Sequence, residues 1–360
     1  TLAGVALARG GAPQRLVQFF NASFGWMPGG LAIVALLACA FFTAFSGASG
    51  VTILALGGLL YPMLVGENYT KRFSLGLLTS SGSLGLLFPP SLAVLLYGIV
   101  SGVSIEQLFT AGIVPGSILL AMLAAYAMVT SRRIGIPRHP FSFAVFITAA
   151  RAGVWDILLP VAIIGGLLGG YVTVTEAASV CATYALLLES VIHRRLNTWT
   201  LYYEVFRETC VLVGSLLIIL GIALGLTNLM IDAQIPMQIL SLLEQDVQSQ
   251  LQFLLLLNVF LLAIGCIMDI FSAIMVIVPI ILPLAYRFGV DPVHLGIIFL
   301  ANLEIGYLTP PVGINLFLAS QRFREPMLSL FRAAVPFFLI MLAWLALITY
   351  LPQLSLWWKP

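Results

Sequence analysis

Apolar stretches of membrane-spanning length follow one another along almost the whole chain, with only short polar connections between them. A helix needs about 20 apolar residues to cross a bilayer, so 360 residues have room for about ten spanning or half-spanning helices. Only 8% of the residues are charged, whereas an average soluble protein has about 25%. The sequence therefore predicts a single all-α domain embedded in lipid.

The charged residues and histidines argue against two other classes of protein. The formal net charge is only +2, and the basic residues collect in short loops instead of along a groove, so we expect no nucleic-acid partner. The chain contains no H-E-x-x-H motif, and its histidines, His139, His193 and His294, are far apart in the sequence. We therefore do not expect an intramembrane enzyme.

Two copies of one proline pattern indicate an internal repeat. The pair Pro89-Pro90 recurs as Pro310-Pro311, and the step from Pro89 to Pro310 defines a repeat offset. The same offset pairs further prolines and a glycine of the two copies: Pro62 with Pro283, Pro115 with Pro336, and Gly85 with Gly306.

The positive-inside bias predicts how the two copies are oriented. The basic positions expected in the cytoplasm are Arg9, Arg15, Lys71, Arg72, Arg132, Arg133, Arg138, 193–195, Arg322 and Arg324. The loops near Glu106, at 169–170 and over 232–246 are expected outside. Residues 26–62 then begin and end inside, and residues 251–286 begin and end outside, so each is predicted to be a re-entrant hairpin. The hairpins enter from opposite faces, which makes the repeats inverted.

The predicted organisation has four parts. The first inverted repeat covers 1–131, with a hairpin at 26–62, a broken helix at 73–100 and a helix at 108–131. A basic interfacial linker at 132–153 and scaffold helices at 154–231 follow. The second repeat covers 248–351, with a hairpin at 251–286, a broken helix at 294–320 and a helix at 327–351. Shifting 211–231 back by the repeat offset places its counterpart mostly before Thr1, so we expect N-terminal helices to be missing from this chain.

The breaks in the helices predict a transport site. Backbone groups freed by a break must be satisfied by protein, water or an ion, and each Pro-Pro pair releases carbonyl oxygens that suit a hard cation such as sodium. Gly85 and Phe88 supply such carbonyls in the first copy, and Gly306 and Thr309 supply them in the second. Inverted repeats with broken helices near the midplane are typical of secondary transporters.

The hairpin tips are the predicted substrate site, because they combine hydroxyls, exposed backbone and helix N-termini that attract anions. The candidate substrate-binding residues are Ser46, Gly47, Ser49, Thr52, Ser91, Asp269, Ser272 and Asn315. Tight helix packing is an alternative role for the small residues of the first tip. A structural hydrogen bond is the alternative for Asp269 and for Asn315.

Several runs of residues resemble the large membrane subunit of tripartite ATP-independent periplasmic (TRAP) transporters. They are FSGASGVT (45–52), SLGLLFPPS (83–91), AGIVPG (111–116) and GYLTPPVGINLF (306–317). The resemblance implies a sodium-driven elevator-type importer of small organic anions, C4-dicarboxylates among them, in the bacterial inner membrane. It also implies two partners, a small four-helix membrane (Q) subunit and a periplasmic substrate-binding (P) protein.

The resemblance further implies two or more sodium ions in two symmetric sites. One site would use Ser46, Ser49, Gly85, Phe88 and Pro90. The other would use Gly306, Thr309 and Pro311 with the second hairpin, where Gly265 lies. The alternative is an organic anion carrier that is proton-coupled or independent of a binding protein, which titration of Asp269 or Glu304 during transport would favour.

Overall fold

The computed structural model describes residues 1–136, 140–233, 247 and 249–359, and these ranges contain helices and no strand. Arg138, His139 and most of the loop up to Asp246, which entered the predictions above, lie outside the described residues. The α-helices within these ranges are α1 (Leu2–Gly10), α2 (Ala12–Phe24), α3 (Gly30–Ser46), α4 (Ser49–Gly66), α5 (Lys71–Ser81), α6 (Leu92–Ser101), α7 (Ile105–Ile134), α8 (Phe143–Leu168), α9 (Val174–Leu187), α10 (Trp199–Asp232), α11 (Gln250–Gly265), α12 (Ile270–Arg287), α13 (Pro292–Gly306), α14 (Ile314–Phe323) and α15 (Met327–Tyr350).

Seven of the helices in the described ranges are long and apolar enough to cross a membrane, and α5 with α6 forms an eighth, bent span. The bend between α5 and α6 is 45°. The helix α8 begins at Phe143, inside the stretch predicted as an interfacial linker. It extends further than the apolar segment suggested, because the sequence from 143 to 150 is also apolar or small and continues the helix without interruption.

From α3 to α7, the helices of the first repeat correspond one to one with those of the second. The repeat offset carries the hairpin α3–α4 onto α11–α12, the broken helix α5–α6 onto α13–α14, and α7 onto α15. The matched prolines all lie inside helices, as Pro62 and Pro283, and as Pro115 and Pro336. The packing is also repeated. The second arm of the first hairpin, α4, lies against α14, and the second arm of the second hairpin, α12, lies against α6. Each hairpin therefore packs on the broken helix of the other repeat.

The packing of α7 against α15 shows that the repeats are inverted. Trp344, late in α15, donates a hydrogen bond from Nε1 to the carbonyl oxygen of Pro115, early in α7, at 2.9 Å. Tyr126, late in α7, packs edge-on against Phe337, early in α15, with ring centroids 5.1 Å apart. Corresponding helices thus run in opposite directions, as an inverted repeat requires.

The breaks and tips are short. The first hairpin turns at Gly47, whose φ of 69° is in the left-handed region, and α4 begins two residues later. The first broken helix passes through a 3-10 turn, Leu84–Leu87, before Pro89. The second hairpin turns between α11 and α12, and the second break separates α13 from α14. Both Pro-Pro peptide bonds are cis.

Candidate functional site

A backbone-to-backbone contact joins each hairpin to the broken helix of its own repeat. A Cβ on Gly85 would lie 2.1 Å from the carbonyl oxygen of Ala40 and 2.4 Å from the nitrogen of Ala44. A Cβ on Gly306 would lie 2.5 Å from Cα of Gly265. The repeat offset carries Ala44 onto Gly265 and Gly85 onto Gly306, so the same contact occurs in both copies. Only glycine fits at either break position.

The carbonyl oxygens next to these contacts keep some of their hydrogen-bonding capacity. The oxygens of Gly85 and Phe88 accept from the amides three residues later, at 3.1 and 3.0 Å. The oxygen of Gly306 accepts from the amide of Thr309 at 2.9 Å. A carbonyl oxygen has two lone pairs, so each can also ligate a cation. No group of three or more His, Cys, Asp or Glu residues in the described ranges could hold a metal ion.

Hydroxyl groups link the arms of the first hairpin to the first broken helix. The hydroxyl of Thr43 donates to the carbonyl oxygen of Gly82 at 2.7 Å, so the hydroxyl of Thr52 is the donor in the 2.7 Å bond between the two threonines. Both threonine side chains are fully buried. In this structure the Thr52 hydroxyl therefore ties the two arms together, and its predicted contact with substrate stays a prediction.

At the second tip, Asp269 is the N-cap of α12. Its Oδ1 accepts from the amides of Phe271 and Ser272 at 2.9 and 3.0 Å, and its Oδ2 accepts from the Ser272 hydroxyl at 2.5 Å. The structural role considered for Asp269 is thus present in this structure, and its predicted role in ion or substrate binding stays a prediction. Next to it, the hydroxyl of Tyr307 accepts from the amide of Ile270 at 2.6 Å.

Each tip lies against its own break. A Cβ on Gly47 would lie 2.8 Å from Cβ of Leu92, at the start of α6. In the second copy the amide of Gly313, at the start of α14, donates to the carbonyl oxygen of Cys266 at 3.1 Å. The structure thus places the predicted ligands in two clusters, each at one tip and break. The first contains Ser46, Gly47, Ser49, Gly85, Phe88, Pro90 and Ser91, and the second contains Gly265, Asp269, Ser272, Gly306, Thr309 and Pro311.

Asn315 connects the second break to the first broken helix. Its Nδ2 donates to the carbonyl oxygen of Thr79 at 3.4 Å and to the hydroxyl of Ser83 at 3.3 Å. Its Oδ1 is buried and has no hydrogen-bond partner among the described residues, and the same holds for the hydroxyl of Ser91. Two of the predicted substrate-binding residues therefore keep buried polar atoms that a ligand could engage.

The sequence alone gives no role to two residues that close these contacts. Thr43 lies inside an apolar run, and nothing in its neighbours signals a partner 39 residues away. Tyr307 lies in the second Pro-Pro run, so its position next to the break is a usable signal. Glu304, the candidate for proton coupling, is fully buried in α13. Neither of its carboxyl oxygens has a hydrogen-bond partner among the described residues. Buried polar atoms are normally hydrogen-bonded, so the described part of the protein does not satisfy this carboxyl group.

Comparison with known protein families and curated relatives gives one consistent result. The family model described as the tripartite ATP-independent periplasmic transporter, DctM component, matches residues 1–354. The C4-dicarboxylate TRAP transporter large permease protein DctM of Pseudomonas aeruginosa is 37% identical, over 99% of this chain and 83% of that protein.

Other relatives carry different substrate names. The isethionate TRAP transporter permease protein DctMQ of Oleidesulfovibrio alaskensis is 35% identical, over 98% of this chain and 56% of that protein. The ectoine TRAP transporter large permease protein TeaC of Halomonas elongata is 33% identical, over 99% of this chain and 83% of that protein.

Among solved structures, the YdaH transporter of Alcanivorax borkumensis has a similar fold. The match covers 97% of this chain and 84% of that one, with a TM-score of 0.65 and 14% sequence identity. At that identity the likeness concerns the fold alone.

Proposed function

The chain belongs to the family of DctM components of tripartite ATP-independent periplasmic transporters, and we propose that it couples the import of small organic anions to sodium. It is a multi-pass protein of the bacterial inner membrane and a transporter subunit, not an enzyme. The observation that carries the proposal is the close backbone contact between hairpin and broken helix, which Gly85 makes in the first repeat and Gly306 makes in the second.

Sodium as the driving ion is supported by the oxygens beside these contacts. The carbonyls of Gly85, Phe88 and Gly306 each accept one backbone hydrogen bond and retain a lone pair. The hydroxyl of Thr309 donates to the carbonyl oxygen of Ile305 at 3.2 Å, so its own oxygen also stays available. Neutral oxygens held by rigid backbone suit a hard, monovalent cation. We propose about two or more sodium ions, at least one at each break.

An anionic substrate is supported by helix N-termini that have no side-chain cap. The helices α4, α6 and α14 begin after Ala48, Ser91 and Gly313, and none of these residues makes a side-chain capping bond. At α14 the amide of Asn315 already donates to the carbonyl oxygen of Tyr307 at 3.2 Å. The remaining free amides and the helix dipole at such ends attract carboxylates. The helix α12, which Asp269 already caps, does not share this property. Small carboxylates, C4-dicarboxylates among them, therefore fit the first tip and both breaks better than the second tip.

The proposed partners are a small four-helix membrane subunit (Q) and a periplasmic substrate-binding protein (P). The tripartite family name implies both kinds of partner, and one relative is named DctMQ. We further propose that the two hairpins and both broken helices move together against the remaining helices, as in an elevator. The cross-packing of α4 on α14 and of α12 on α6 supports this, because it joins the two repeats into one body.

The test is uptake into proteoliposomes that contain the complete transporter and its binding protein, with a radiolabelled C4-dicarboxylate. We expect uptake to require an inward sodium gradient and to stop when potassium replaces sodium. Uptake that ignores sodium and follows a pH gradient would establish the proton-coupled alternative instead. Uptake without the binding protein would contradict the proposed dependence on that partner.

A matched pair of variants tests the ion site directly. In Thr309→Val the hydroxyl ligand is lost, so we expect the sodium concentration for half-maximal uptake to rise about tenfold, the loss of one hydrogen-bond-sized interaction. Thr110→Val is the control, because its hydroxyl also donates to the carbonyl four residues earlier, at 2.9 Å, but lies on α7 away from the breaks. Equal sodium dependence of the two variants would contradict the proposed ligand.

A further inference from the structure

A polar pocket of about 500 Å³ lies where α1 meets α2 and where the chain leaves α9. It is separate from the two breaks. Its polar side chains are Arg9, Gln14, Arg15, Gln18, His193 and Arg195, and no acidic side chain lines it.

Two arginines of the pocket, Arg9 and Arg15, form ion pairs with acidic side chains that lie outside the pocket lining. Arg15 donates to both carboxylate oxygens of Asp156 at 2.7 and 2.8 Å, and also to Glu189. Both acidic side chains are buried. Arg9 pairs with Glu204 and Glu208 at 3.1 and 2.9 Å, but these side chains are partly exposed, so this pairing holds Arg9 less firmly. The pairs of Arg15 fix its guanidinium group before any ligand arrives.

Two guanidinium groups converge over the turn at Gly11. A Cβ on Gly11 would lie 3.6 Å from Nη1 of Arg15 and 4.0 Å from Nε of Arg195. No acidic side chain of the described residues forms an ion pair with Arg195. Two cations thus face one small volume, and Arg195 interacts with Glu189 only at a distance longer than that of an ion pair.

His193 supplies a second, independent sign of a missing ligand. Its Nε2 is buried and has no hydrogen-bond partner among the described residues. Burial lowers the pKa of His193, and the guanidinium groups of Arg15 and Arg195 lower it further, although Asp156 opposes them. The ring lines the same pocket as Arg15 and Arg195, so one anionic ligand could contact all three side chains.

The pocket lies at the depth of lipid headgroups. The membrane span Val174–Ile192 ends directly before it. The next helix begins with Trp199, which is 86% exposed, and continues with the exposed Tyr203. Tryptophan and tyrosine are enriched at the membrane interface, and the basic residues place this end of the span in the cytoplasmic leaflet.

We propose that this pocket binds the phosphate group of an anionic phospholipid from the cytoplasmic leaflet. Arg195 and Nη1 of Arg15 donate to the phosphate oxygens, and Nε2 of His193 donates a further hydrogen bond. Nη1 of Arg15 already makes one long hydrogen bond, 3.4 Å, to the carbonyl oxygen of Gly10, and its second hydrogen serves the phosphate. The headgroup is anionic and not zwitterionic, because an ammonium group would find no carboxylate in the lining. A bound lipid would join the α1–α2 corner to the end of α9.

The test compares two adjacent arginines in the purified transporter complex. Arg195→Gln removes the unpaired guanidinium, and Arg194→Gln is the matched control, because Arg194 does not line the pocket. Binding of phosphatidylglycerol and of phosphatidylcholine is measured by native mass spectrometry and by the lipid-dependent rise in melting temperature. We expect Arg195→Gln to weaken phosphatidylglycerol binding about fivefold and Arg194→Gln to leave it unchanged.

Two results would overturn the proposal. One is equal phosphatidylglycerol binding by both variants, and the other is phosphatidylcholine binding as tight as that of phosphatidylglycerol. Inorganic phosphate at millimolar concentration identifies the source of the phosphate. Stabilisation by inorganic phosphate that Arg195→Gln abolishes, without stabilisation by phosphatidylglycerol, would show that the ligand is a soluble anion and not a lipid.

Discussion

The two repeats share their backbone geometry but differ in the polar groups that complete it. Gly85 and Gly306 make the same close contact in both copies. At the start of the broken helices the copies differ, since Thr70 caps α5 while Asp291, its counterpart at the repeat offset, caps α13. The comparison shows that the main chain is duplicated and inverted, whereas a charged cap occurs at the start of the broken helix in the second copy only.

The hairpin tips differ in the same sense. The first tip is uncapped at Ala48, and the corresponding residue of the second tip is the capping Asp269. The hydroxyl link between Thr43 and Thr52 has no counterpart, because the equivalent positions are Ile264 and Ala273. The first tip is therefore polar inside with a free helix N-terminus, and the second is apolar inside and closed by a carboxylate. We infer that the first tip offers more to an anionic substrate.

The largest expected effect tests what the repeats share. Gly85→Ala and Gly306→Ala each force a Cβ into backbone, so each should destabilise the protein by about 3 kcal/mol and abolish uptake. Gly214→Ala is the control, because a Cβ there meets nothing within 4 Å. Melting temperature and uptake are measured for all three. A tolerated alanine at one break only would show that the two contacts are not equivalent.

The next effect tests the cap found in one copy. Asp269→Ala leaves the amides of Phe271 and Ser272 without their acceptor, and should lower the free energy of unfolding by about 1–2 kcal/mol. Asp269→Asn keeps an acceptor oxygen and should restore most of that loss. Thermal unfolding and uptake are measured together. If the asparagine variant is stable but inactive, the charge of Asp269 serves transport and the structural assignment is wrong.

A smaller effect tests the hydroxyl link found in the other copy. Thr52→Val removes one hydrogen bond and should cost about 1 kcal/mol. Thr43→Val should cost more, because it leaves both the Gly82 carbonyl and the Thr52 hydroxyl without a partner. The double variant should show coupling between the two sites in a double-mutant cycle. Additive losses of stability would mean that the threonines act independently.

The smallest effect concerns charge at the starts of the broken helices. Burial alone would raise the pKa of Asp291, but hydrogen bonds from Lys359 and from the amide of Val293 lower it below its usual range. The stabilisation is therefore present above the unfolded-state pKa, about 4, and is lost as the pH falls through the lower folded-state pKa. Asp291→Thr copies Thr70, keeps a capping oxygen, and should lower stability at neutral pH by at most about 1 kcal/mol.

The measurement for Asp291→Thr is the melting temperature between pH 3 and pH 7. The variant should lose less stability than the unchanged protein in the acid part of that window. If the melting temperatures of both proteins fall equally in acid, other carboxylates dominate the pH dependence. The charge of Asp291 would then contribute nothing measurable to the difference between the two caps.

The breaks and the inverted arrangement can be predicted because prolines act locally. Each Pro-Pro pair interrupts a helix wherever it stands, and a constant offset between the two pairs reveals the repeat. Thr43 and Arg195 cannot be assigned in this way, because their importance depends on distant groups, Gly82 in one case and the Gly11 turn in the other. The start of α8 at Phe143 is not predicted either, since hydropathy alone does not extend the segment across Arg151.

The glycine contacts also limit which genetic changes could ever compensate for one another. The atoms that a new methyl group would strike belong chiefly to main chain, at Ala40 and Ala44 in one copy and at Gly265 in the other. Trimming a neighbouring side chain cannot make room there, because peptide groups have no smaller form. A suppressor screen starting from alanine at Gly85 or Gly306 should therefore return true revertants and no second-site rescue within the opposing helix.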